Sequence, residues 1–140
     1  MSALSRPDLT GLPAFLAGGP PGSSGTMILE YTANSALGEL RSTAVAPASA
    51  GHAVLSHGLG EAAGFAGQAA RQAERAGAAH ATALACELLA AVRASRLHPA
   101  PPAVPAFSLA ASVLPAGLED RPLSGDIATA TELLPLLAAL

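Results

Sequence analysis

Apolar positions along the chain recur at helical spacing almost throughout. Met27, Tyr31, Ala33, Ala36, Leu37 and Leu40 follow one another mostly at steps of three and four, which predicts a helix over residues 27–45. Glu30 near its start and Arg41 near its end suit the helix dipole. Pro47 stops it. The run Ser23-Ser24-Gly25-Thr26 offers N-cap side chains just before it. The longest periodic stretch is residues 61–97, with no proline from Glu61 until Pro99. At 1.5 Å per residue it would reach roughly 55 Å, longer than a domain of this size can cover with itself. One face carries Phe65, Ala69, Gln72, Ala76, Ala79, Ala83, Cys86 and Ala90, and Gln68, Arg71, Glu74, Arg75 and Arg93 form the polar remainder. Gly64, Gly67 and Gly77 each cost about 1 kcal/mol of helix propensity relative to Ala, which close helix crossing can offset.

Prolines and glycines punctuate the rest. Residues 1–26 hold Pro7, Pro13, Pro20 and Pro21 among Gly11, Gly18, Gly19, Gly22 and Gly25, too dense for a regular element. Within them Leu12-Pro13-Ala14-Phe15-Leu16 reads as an apolar plug that packs on something. Residues 98–105 form a proline-rich, extended linker. A short helix is expected over 106–114 and a final amphipathic one over 126–140. In that last helix Thr129 and Glu132 are spaced as a capping box, and Pro135 must kink it or shift its start. With no alternating strand pattern, the expected fold is all-α: one helical domain spanning residues 1–140 and built as a long-helix bundle. Residues 27–97 are its core helices and 106–140 its C-terminal helices.

Composition sharpens this picture. The chain has 140 residues, 51% hydrophobic and only 12% charged, where a soluble domain carries about 25% charge. Such a chain is too apolar to be disordered. It also has little material for a fully solvated surface, so part of it is expected to meet another chain. Trp is absent and aromatics are 3%, which excludes a large aromatic core. The net charge is −3 and all seven cationic residues are Arg, so no basic patch for nucleic acid arises. No stretch reaches the roughly 20 apolar residues that span a bilayer, and no signal peptide is visible. A cytoplasmic protein with no nucleic-acid or membrane partner is the expectation.

Candidate chemistry gathers in residues 49–61. Ser49, His52, Ser56, His57 and Glu61 supply a hydroxyl, imidazoles and a carboxylate, but no Gly-x-Ser-x-Gly elbow accompanies them. His52 and His57 lack a third ligand at metal spacing, so no metal site is expected. The plain alternative is a polar loop that caps the next helix. Gly22-Ser23-Ser24-Gly25 lacks a P-loop lysine and reads as a flexible cap. His80 reads as a packing residue, His98 as a helix end, and lone Cys86 as a small buried side chain.

Several blocks then resemble a known family in order along the chain. They are Gly11-Leu12-Pro13-Ala14-Phe15-Leu16, Ser24-Gly25-Thr26-Met27-Ile28 followed by Tyr31-Thr32-Ala33, Pro47-Ala48-Ser49, Glu87-Leu88-Leu89-Ala90-Ala91, Leu118-Glu119-Asp120-Arg121-Pro122-Leu123 and Asp126-Ile127. Each is weak alone. Together they resemble the C-terminal part of the aromatic amino acid lyases, the histidine and phenylalanine ammonia-lyases. The resemblance implies a nearly all-helical tetramer in which each active site draws on three chains. It also implies an electrophilic methylideneimidazolone group formed from Ala-Ser-Gly.

No Ala-Ser-Gly occurs in these 140 residues. The resemblance therefore implies no cofactor built by this chain and a larger lyase-like partner chain carrying the electrophile. The expected assembly is a hetero-oligomer, with four copies of each chain if the family's tetramer is kept. This chain would be the small subunit, completing the bundle and part of the active-site wall in a lyase or aminomutase reaction. Counted without gaps from Pro47-Ala48-Ser49, the family's Asn-Gln-acid cluster falls on Gly58, Leu59 and Gly60, which have no polar side chain. Glu61 and His57 flank that position and are the expected catalytic wall residues; Tyr31, Glu30 and Ser56 are the expected substrate contacts. The competing expectation is a non-catalytic scaffolding subunit that stabilises a lyase-like partner.

Overall fold

A computed structural model describes residues 2–45, 57 and 65–140. All regular structure among the described residues is helical: α1 (Pro7–Thr10), α2 (Met27–Val45), α3 (Ala66–Leu97), α4 (Pro105–Val113) and α5 (Ser124–Leu137). Single 3-10 turns at Ser2–Ser5 and Ala14–Leu16 precede α2. The chain divides into two compact units, one of Met1–Asn34 with Ala81–Leu140 and the other Ser35–His80.

Helix boundaries follow local chemistry. α2 occupies the span that its apolar period predicts. α4 opens with Pro105 at its first position, where the missing N–H costs nothing, and extended backbone at Leu114 ends it. α3 is a single helix of 32 residues, about 48 Å long. The N-terminal segment is more ordered than its proline and glycine density implies. Pro7 sits at an N-terminal position of α1 and Gly11, at φ 67°, closes its C-terminus, so the punctuating residues themselves frame one helical turn.

The first unit holds the core. Leu16, Leu29, Ala33, Cys86, Leu89, Val92, Leu114, Leu123 and Leu133 pack there with Ala85, Ala90, Ala110 and Ala130. Ala85, Ala110 and Ala130 are wholly buried; small side chains at these positions let helix backbones approach closely. The apolar plug behaves as expected, with Leu16 buried and Leu12 packed against the core.

The second unit is leaner. Leu40, Thr43 and Ala44 of α2 line an open groove with Ala69, Gln72, Ala73 and Ala76 of α3. Only Ala36 and Ala79 of its described residues are buried. His80 is exposed, which corrects its reading as a packing residue. It follows Ala79 on a helix whose buried positions step by three and four, so it falls off that face.

The capping box expected at Thr129 and Glu132 is not formed. α5 begins earlier, at Ser124 after Leu123, which leaves Thr129 inside the helix. Its hydroxyl donates to the Gly125 carbonyl at 3.1 Å instead. Pro135 lies in the last turn, where the helix is ending anyway.

Candidate functional site

Four side chains stitch the irregular segments of the first unit to its helices. The carboxylate of Asp120 accepts hydrogen bonds from the backbone N–H groups of Ser24, at 2.7 Å, and Gly25, at 2.9 Å. These donors stand just ahead of α2, so the cap comes from far along the chain and not from Ser23, Ser24 or Thr26. Thr26 turns elsewhere: its hydroxyl and its N–H both donate to the Phe15 carbonyl at 2.7 Å.

Those two N–H donors hold the Asp120 carboxyl below its ordinary value of 3.8. A lowered folded pKa means that the charged form stabilises the fold. That contribution is present above the unfolded value and is lost as pH falls through the folded one. Acidification below about pH 4 should therefore destabilise the parent more steeply than Asp120→Asn, as followed by thermal melts in a pH series. Parallel pH profiles would remove Asp120 as the cap.

Arg93 is the second stitch. It is 9% exposed, donates from Nε to the Leu16 carbonyl at 3.0 Å and from Nη2 to the Leu118 carbonyl at 2.7 Å. Burial, and then the Arg121 guanidinium, push Arg93 below the ordinary arginine value, while Asp120, Glu119 and Asp126 pull it back. Its placement corrects its assignment to the polar side of α3. The signal was available: the buried register Cys86, Ala90 continues at a step of three onto position 93.

The Leu16 carbonyl that Arg93 holds belongs to unusual backbone. Phe15 and Leu16 lie at φ 51° and 55°, a conformation that costs non-glycine residues of order 1–3 kcal/mol each. Three bonds fix it: two to the Phe15 carbonyl and one to the Leu16 carbonyl. Gly25 packs closely beneath, at φ 54°, and a Cβ there would strike the Phe15 carbonyl and approach Ala17 Cα to 2.9 Å. Gly25→Ala should therefore cost about 2 kcal/mol or more in urea unfolding; Gly38→Ala, open within α2, should be neutral or slightly stabilising.

Arg96 closes α4, donating to the carbonyls of Ala111, Leu114 and Pro115 at 2.6–2.8 Å, where a cation suits the C-terminal end. Arg121 and the buried Asp126 form a two-pronged pair at 2.9 and 2.6 Å. Arg93, Arg96, Arg121 and Asp126 border one cavity with Thr26, Leu29 and Leu89. Its free volume is about 20 Å³, room for one water and far too little for an amino acid.

Of the five site residues singled out from sequence, Glu30, Tyr31 and His57 are among the described residues. Tyr31 is 66% exposed on α2 and Glu30 beside it is half-buried; both belong to the first unit. His57 belongs to the second unit, where it is exposed with a left-handed φ of 56°. Glu61 and Ser56 lie outside the described residues, as do Ser49, His52 and the segment Gly58-Leu59-Gly60. No cluster of three metal-ligating side chains occurs among the described residues. No described helix is long and apolar enough to cross a membrane.

Cys86 is buried, and burial, followed by the neighbouring Glu87 charge, raises its thiol above the ordinary value. Thiolate is the reactive form, so Cys86 should resist a thiol-specific reagent in the folded chain and react fully in denaturant. Rapid labelling of native protein would contradict this placement.

Among the described residues the arrangement is all-helical, with one long helix, α3, and a small-residue core in the first unit that Arg93 ties to the loops. The crystal structure of histidine ammonia-lyase from Trypanosoma cruzi superposes with a TM-score of 0.84 at 31% sequence identity, covering 98% of this chain. Residues 1–114 match the aromatic amino acid lyase family, and the chain belongs to that family. It spans 28% of the length of the Trypanosoma chain. No match was found among curated proteins.

The electrophile implied by this family would have to form from consecutive Ala-Ser-Gly. Ala48-Ser49 is followed by Ala50, and Ser24-Gly25 is preceded by Ser23. These residues therefore do not fit the group, and no chemical step runs through it in this chain.

Proposed function

We propose that this chain serves as the small subunit of a heteromeric ammonia-lyase-like or aminomutase-like enzyme. Its helices complete a bundle and part of an active-site wall around an electrophile carried by a larger lyase-like chain. The observation that carries this reading is the structural match to histidine ammonia-lyase over 98% of this chain, at a TM-score of 0.84. Two further features support it. The 140 residues contain no Ala-Ser-Gly, and residues 66–80 of α3 are mostly exposed, with only Ala79 buried. In an assembly a partner's helices would cover that length.

On this reading Glu61 and His57 present a carboxylate and an imidazole toward the substrate, in positions to hold or move a proton. Tyr31, Glu30 and Ser56 contact the substrate. The test is to co-express the chain with a larger lyase-like chain that carries Ala-Ser-Gly, purify the complex and measure ammonia release from amino acids. The complex should release ammonia and the chain alone should not. Glu61→Ala combined with His57→Ala should abolish release; activity that survives both removes the site assignment. The mass of the native protein checks the two-chain arrangement separately, because one fused polypeptide would keep the wall and dismiss the small subunit.

A second reading has its own support. Gly58, Leu59 and Gly60 stand where the family resemblance places an Asn-Gln-acid cluster, which favours a scaffolding subunit that stabilises its partner without touching substrate. It predicts a complex that forms normally, with ammonia release indifferent to Glu61→Ala and His57→Ala.

A further inference from the structure

We draw no further inference here: the strongest candidate, the open groove that Leu40, Thr43 and Ala44 of α2 line with Ala69, Gln72, Ala73 and Ala76 of α3, is an open face of mostly small residues, and nothing in the structure shows what covers it.

Discussion

Replacing Arg93 with methionine should lower stability by about 3 kcal/mol, the cost of stranding two carbonyl groups in the first unit. Methionine keeps much of the aliphatic stem but donates nothing to the Leu16 and Leu118 carbonyls. Each stranded acceptor costs about 1–3 kcal/mol. Part of this is offset because a charge no longer has to be buried, so the net loss falls below the sum. The Leu16 bond also helps to fix left-handed backbone at Phe15 and Leu16, and without it that strain is free to relax by unfolding the segment. Arg93→Lys separates the contributions. Lysine keeps the charge but offers one compact donor head, which cannot reproduce the guanidinium's two separated contacts. Its loss should lie between parent and Arg93→Met. For a chain of this size 3 kcal/mol is about 10 °C in the melting midpoint. Circular dichroism melts in which Arg93→Met stays within a degree or two of the parent would show that these bonds hold nothing together.

Leu29→Ala should be similarly severe, at about 3 kcal/mol. Leu29 is 1% exposed on α2 and belongs to the core cluster. Truncating such a side chain removes its burial and leaves a void that neighbours fill only in part. The same substitution at Leu136, 58% exposed on α5, should cost under about 0.5 kcal/mol. Urea titrations of the two variants side by side check the contrast, and equal losses would overturn the assigned core. Leu29 and Arg93 border the same small cavity, so their losses should couple. The double variant should depart from the sum of the two by at least about 0.5 kcal/mol.

How far these features could be read from sequence depends on how local their causes are. The spans of α2 and α4 were legible because a 3.6-residue apolar period and nearby prolines act within a turn or two. The buried face of α3 was legible for the same reason, through Ala79, Ala83, Cys86 and Ala90. The single turn of α1 was missed because Pro7 and Gly11 both look like breakers, although they also start and end helices well. The capping box at Thr129 failed because its spacing is right but α5 starts upstream at Ser124.

The candidate site was legible only as a list of residue types. Glu30 and Tyr31 lie where the α2 period puts them, His57 and Ser56 come from a connector with no periodicity to place it, and Glu61 stands at the first position of the periodic stretch that follows. Family resemblance, carried by blocks such as Gly11-Leu12-Pro13-Ala14-Phe15-Leu16, supplied the functional context that spacing could not.

By itself, then, the sequence determined an all-helical chain, the principal helices, their small-residue faces, and a low charge content of 12%. Those follow from short-range sterics and from burial averaged over a face. Only the tertiary structure decided that Asp120 caps a helix some ninety-five residues earlier. It alone decided that Arg93 turns inward to two loop carbonyls and that Phe15 and Leu16 hold left-handed backbone. Each of these pairs a polar group with a partner far away in the chain. Such pairings are set by which backbone groups folding would otherwise leave buried without a bond.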